Sequence, residues 1–265
     1  MLPKTGAKTM SEPHLLYHVE NNIASLTINR EDRRNAISIE TITLFLQFLD
    51  EAESDPEVRV ILITGAGDRA FCAGADLGGD ADGKIQEGFE TYARLLKRLS
   101  GYPKPVVARV NGACMAGGMG FMLACDIVIA RNDAKFGTPE VNVGLWPMMI
   151  GALIYRNALR KKAMEMVLLG ERLNADQALE MGLITRAVPA DRLDDEVNRI
   201  LQSLAEKSPC GMKIGKEAFY AMADMPFEEA VDFLSGKIAE VASTEDAREG
   251  ITAFIEKRKP VFKGK

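Results

Sequence analysis

The chain has 265 residues, 47% of them hydrophobic, which suffices for one or two domains around a sizeable core. A formal net charge of −5, with no basic block longer than a few residues, speaks against a nucleic-acid surface, and no run approaches the roughly 18 apolar residues of a membrane span. Two histidines and four widely spaced cysteines exclude a disulfide framework, leave a metal centre without a ligand set and make a Ser-His-Asp triad untenable; they fit a reducing cytoplasm.

Positions 1–12 carry scattered charge and no continuous apolar stretch, so a flexible leader is expected there, not a signal peptide. Leu15 to Glu20 and Ile23 to Asn29 read as two strands joined by a hairpin at Asn21-Asn22. His14 and His18 would share a strand face, but no third ligand stands near them. Ile42, Phe45, Leu46 and Leu49 recur three and four apart, predicting a helix capped by Ser38 and stopped before Asp55-Pro56.

Val58 to Thr64 is a buried-strand run that opens onto Gly65-Ala66-Gly67-Asp68-Arg69-Ala70. That spacing matches a dinucleotide fingerprint, which needs a helix directly after it. Phe71 to Gly83 has no helical stripe, so a nucleotide-dependent oxidoreductase is a distant alternative. A helix over about Ile85 to Leu99 precedes the strand Val106 to Val110. Then comes Asn111-Gly112-Ala113-Cys114-Met115-Ala116-Gly117-Gly118-Met119-Gly120, a glycine cluster between a strand and an apolar helix. Backbone N–H groups at such a junction face a ligand, and the missing side chains of Gly117 and Gly118 would let a phosphate or a developing oxyanion approach.

Cys125 to Ala130 reads as another strand, and from about Ala152 the pattern turns helical, with one short strand candidate at Leu183 to Val188. Phe227, Ala230, Val231, Leu234, Ile238 and Val241 form a long apolar stripe. Thr244 then caps a last helix carrying Ile251, Phe254 and Ile255. The stripe needs a cover, either the chain's own core or another subunit.

Phe71-Cys72-Ala73-Gly74-Ala75-Asp76-Leu77, the Asn111 to Gly118 loop, Thr138-Pro139-Glu140 and Glu249 to Arg258 together resemble the crotonase superfamily, which includes the enoyl-CoA hydratases and isomerases. The resemblance runs from about Leu15 to Phe262. It implies an α/β fold, a crotonase-like spiral of ββα units over 13–200, with a C-terminal helical trimerisation region over 201–265 and a homotrimer or a dimer of trimers. It also implies oxyanion donors at the backbone N–H of Ala75 and Gly117, with Glu140 as the carboxylate that moves a proton beside a thioester carbonyl.

Coenzyme A would enter as part of the acyl-CoA thioester substrate, with no separate cofactor and no metal. By the same resemblance Arg33 and Arg34 would lie near the CoA phosphates, unless they are only a solvated loop, and the Ala73 backbone near the adenine. Phe254 and Lys257 would reach the CoA of a neighbouring subunit. Asp76 and Asp126 would hold loops, and Cys72 and Cys114 would be buried and inert.

One departure stands out. The first hydratase glutamate falls on Gly120, so half of the two-carboxylate apparatus that holds a water is missing. Trp146-Pro147-Met148-Met149-Ile150 brings bulky apolar groups nearby, and Trp146 and Met148, with Gly120, are expected to shape a narrow, dry acyl pocket. The expected function is an acyl-CoA thioester enzyme using enolate stabilisation, either an enoyl-CoA isomerase or enoyl-CoA hydratase-like. An acyl-CoA-binding homologue with little or no catalysis is the alternative.

Overall fold

The computed structural model describes residues 12–75 and 84–265, which leaves the leader, apart from Glu12, and Asp76 outside the described residues. β1 (Leu15–Glu20) and β2 (Ile23–Ile28) form the antiparallel hairpin. Asn21 and Asn22 take φ of 51° and 65°, the left-handed turn that asparagine tolerates and that matches strand twist. α1 (Ile39–Ser54) starts where the sequence places it, the Ser38 hydroxyl accepting the Thr41 N–H at 3.2 Å.

A strand-strand-helix unit then recurs. β3 (Val60–Gly65) and β4 (Ala70–Cys72) lead to α2 (Lys84–Ser100), and β5 (Val106–Val110) and β6 (Ala113–Met115) lead to α3 (Gly117–Leu123). β7 (Ile127–Arg131) and β8 (Lys135–Gly137) lead to α4 (Met148–Asn157). α5 (Arg160–Leu169), β9 (Leu173–Asn174), α6 (Ala175–Glu180) and β10 (Arg186–Val188) come next. The chain closes with α7 (Leu193–Ala205), α8 (Pro209–Met222), α9 (Phe227–Ala242) and α10 (Glu245–Ile255).

In each of the three units the first strand joins a six-stranded sheet of order β1-β2-β3-β5-β7-β10. The second joins a four-stranded sheet of order β4-β6-β8-β9. Successive units therefore stack side by side as a spiral, with β3, β5 and β7 parallel in one sheet and β4, β6 and β8 parallel in the other. The Gly65-x-Gly67 turn opens onto β4 and not onto a helix, which removes the nucleotide reading. Two buried asparagines occupy its carbonyls: Asn35 donates to Ala66 and Ala70 at 2.9 and 2.7 Å, and Asn111 to Gly65 and Gly67 at 3.0 and 2.7 Å.

Both faces of the large sheet are covered, which is why its strands read as continuous apolar runs. Val60, Val107 and Ile129 pack on Leu193, Val197, Ile200 and Leu201 of α7, while Ile61, Ile63, Ala108 and Val128 face the main core under α1, α2 and α3. α7 crosses position 200, so a cut between 200 and 201 passes through one helix. Asp126 accepts the Val106 N–H at 2.7 Å and pairs with Lys216 of α8 at 2.5 Å, tying the sheet to the C-terminal helices.

The chain's own core covers the C-terminal stripe only in part, with Leu234 and Val241 half-buried. On α9 only Ala230 is buried, whereas Phe227 is 78% and Ile238 65% exposed. Among the described residues no helix is long and apolar enough to cross a membrane.

Candidate active site at the ends of three parallel strands

β4, β6 and β8 lie side by side and parallel, and each ends in one of the singled-out loops: Ala73–Ala75 after β4, Ala116–Gly117 after β6 and Thr138–Glu140 after β8. The carboxyl ends of adjacent parallel strands are a natural place for a ligand, since loops from separate units converge there over a rigid frame.

The first loop is held from outside. Ala73 donates to the Arg34 carbonyl at 3.0 Å, the Gly74 carbonyl accepts from Ile37 at 2.9 Å, and Ala75 bridges to Ile37. In the second loop Ala116 donates to Gly137 of β8 at 2.9 Å and takes φ 49°, ψ −127°. Left-handed backbone at a non-glycine residue costs on the order of 1–3 kcal/mol, and such strain gathers at ligand clamps. It turns the chain so that Gly117 faces the first loop: a β-carbon at 117 would stand 3.5 Å from the Ala75 nitrogen.

Among the described residues neither the Ala75 N–H nor the Gly117 N–H donates to a protein acceptor. Two free amides thus sit together, the arrangement that receives a developing oxyanion. α3 has only seven residues, so these two donors count for more than a helix dipole. Gly118 plays a different part from the one expected. A β-carbon there would collide with the Cys72 carbonyl and stand 2.8 Å from the Cys72 β-carbon, so its bareness serves the packing of α3 on β4.

Glu140 lies in a single 3-10 turn, Pro139–Val143, with Pro139 fixing the backbone ahead of it. Among the described residues its Oε2 is buried without a hydrogen-bond partner, as is the Thr138 hydroxyl. Burial pushes the Glu140 carboxyl above the ordinary carboxylate range, against the opposing pull of its own backbone N–H. An unpaired carboxylate oxygen with a raised proton affinity is what a general base requires.

Position 120 is occupied from outside. A β-carbon on Gly120 would run into the Tyr92 hydroxyl and stand 2.6 Å from Ile150 Cγ2. Tyr92 belongs to α2, is 2% exposed, meets Phe121 edge-on at 5.6 Å and donates its O–H to the Gly117 carbonyl at 2.5 Å. Sequence reasoning missed it. Tyr92, Leu95, Leu96 and Leu99 form the buried stripe of α2, and a tyrosine in such a stripe reads as core.

Trp146 and Met148 are 43% and 73% exposed, and of their segment it is Ile150 that lies against position 120. Arg33 and Arg34 are exposed beside the first loop, Arg34 at φ 51°. Phe254, 85% exposed, and Lys257 belong with the α8–α10 layer, away from the sheet that carries the three loops. Cys72 and Cys114 are buried, the Cys72 thiol pushed up to about 12 and that of Cys114 well above its ordinary value by burial, so neither is a ready nucleophile.

A family model described as enoyl-CoA hydratase/isomerase matches residues 18–265. The chain belongs to the enoyl-CoA hydratase/isomerase family. A Xenopus laevis protein named enoyl-CoA hydratase domain-containing protein 3, mitochondrial, is 35% identical over 258 residues, covering 94% of this chain and 86% of that one. The 1,2-epoxyphenylacetyl-CoA isomerase of Escherichia coli is 35% identical over 259 residues, 95% of this chain and 98% of that one. A crystal structure of an enoyl-CoA hydratase from Mycobacterium smegmatis superposes with a TM-score of 0.90 at 32% identity, covering 95% of this chain and 99% of that one. This family member therefore has the crotonase fold, and hydratases and isomerases both stand among its relatives.

Proposed function

We propose that this enzyme stabilises the enolate of an acyl-CoA thioester and uses it to move a double bond, with Glu140 as the proton-transfer group. The amides of Ala75 and Gly117, unpartnered among the described residues and close together at adjacent strand ends, carry the reading. With the thioester oxygen between them, Glu140 removes a proton from C2 of a 3-enoyl thioester, and the electron pair spreads over C2, C4 and the held oxygen. The same carboxyl returns the proton at C4, giving the 2-enoyl product with no net change in atoms.

Isomerisation is favoured over hydration because adding water across the double bond needs a second group to hold that water, and Tyr92 and Ile150 fill the space around Gly120. Coenzyme A is the handle on the substrate, with Arg33, Arg34 and the Ala73 backbone on its side of the first loop, and no redox cofactor enters. Phe254 and Lys257, both exposed, would serve a neighbouring subunit in a homotrimer or a dimer of trimers. Four free cysteines suit a reducing compartment such as the cytoplasm.

Turnover of a panel of 2-enoyl and 3-enoyl thioesters tests the reading. The 3-enoyl compounds should be isomerised, and Glu140→Gln should lower that rate by roughly 10²–10⁴-fold with binding kept. Strong hydration by the unchanged protein would overturn the single-base scheme. Tight thioester binding without turnover, unaffected by Glu140→Gln, would make the chain a binding protein.

A further inference from the structure

The Tyr92 hydroxyl stands at the meeting point of two site features that the family frame leaves unconnected in sequence. It donates to the Gly117 carbonyl at 2.5 Å, and it takes the volume that any side chain at position 120 would need. Gly117 has no side chain to fix its own backbone, and the preceding residue, Ala116, is held at φ 49°. An O–H bond to the Gly117 carbonyl pins the peptide just beyond the free N–H. The phenol ring is itself buried, packed edge-on against Phe121, which in turn stacks on Phe45 at 5.2 Å.

We propose that Tyr92 is a positioning residue that sets the oxyanion loop through Gly117 and selects against water addition by filling the place of a second carboxylate. The proposal rests on the enolate reading above. It deepens that reading by naming what replaces the missing acid: a neutral donor bound to the backbone. Burial first, and then neighbouring Cys72, Cys114 and Glu140, push the phenol well above its ordinary value, so it stays a neutral hydrogen-bond donor over the working pH range. Among the described residues the site is thereby left with one carboxylate, Glu140, and one oxygen trap.

Tyr92→Phe keeps the ring and its packing and removes only the O–H. Isomerisation kcat should fall about tenfold, the scale of one hydrogen bond of about 1.4 kcal/mol, while KM changes less than about twofold. The carbonyl stretch of a bound ¹³C-labelled thioester reports the oxyanion donors directly: the parent should shift it to lower frequency, and Tyr92→Phe should return part of that shift. A purely structural tyrosine would leave the stretch unchanged. The second arm starts from Gly120→Glu with Ile150→Ala, which clears the Ile150 contact, and adds Tyr92→Ala; hydration of a short 2-enoyl thioester should appear only when Tyr92 is also removed. Equal kcat and equal stretch in Tyr92→Phe, or equal hydration with and without Tyr92, would overturn the assignment. If Tyr92→Phe is silent while Gly117→Pro and Glu140→Gln abolish turnover, the Tyr92 assignment falls and the enolate reading stands. If the parent shifts no carbonyl and Gly117→Pro changes nothing, both fall.

Discussion

Glu140 is a carboxyl whose surroundings work against its charge. Folding therefore binds a proton in the window between the ordinary carboxylate value and the raised value, and this group's contribution to stability falls as pH rises through that window. Glu140→Gln removes the charged form, so the variant should melt above the parent at pH 8, by a margin that closes toward pH 4. The same group sets the acid limb of kcat/KM, since the base acts only when ionised; that limb should lie above the ordinary carboxylate range and vanish with the residual activity of Glu140→Gln. Thermal melts and a pH-rate profile check both. At this scale the loops around Ala75, Gly117 and Glu140 stood out in the sequence through the family motifs they carry, which is what assigned each residue its expected role. Tyr92 was not. Its role depends on where α2 lands relative to Gly117 and Gly120, 25 and 28 positions away, and no local pattern encodes that.

Among the elements, helix ends were the most readable. Ser38 and Thr244 cap α1 and α10 through their own hydroxyls, a local chemistry that sequence states outright. The small sheet was hidden. β4, β6 and β8 have three residues each, too few to show a period of two, and Phe71 to Gly83 looked like loop because glycine and aspartate dominate it. These short strands are held in place by the elements packed on them, above all by α3 seated on Cys72. Gly118→Ala puts a β-carbon into that seat against a backbone carbonyl, which cannot swing aside as a side chain could. The expected loss is about 1–3 kcal/mol of stability, read by urea unfolding, with turnover falling further as the Gly117 amide moves. A variant as stable and active as the parent would show that α3 floats free of β4.

Taken whole, the molecule leaves its second apolar surface uncovered. Phe227, Val231 and Ile238 on α9 and Ile251, Phe254 and Ile255 on α10 stand in solvent on the isolated chain, more than a monomer ordinarily exposes in one layer. Phe227→Glu with Ile238→Glu should convert a trimer, or a dimer of trimers, to smaller species in light scattering, with reduced affinity for the thioester if a neighbour's Phe254 or Lys257 completes the site. A parent protein that scatters as an active monomer would overturn this. The crowding at position 120 also carries a historical consequence. A carboxylate cannot be introduced there while Tyr92 and Ile150 stand as they do, whereas a smaller residue at 92 only opens a space. A path from this arrangement to a two-carboxylate one would therefore make room at positions 92 and 150 before position 120 takes the acid. In the opposite direction the acid must be lost before the ring can grow in. Volume thus orders the substitutions, and such a path would pass through a form in which positions 92, 120 and 150 are all small.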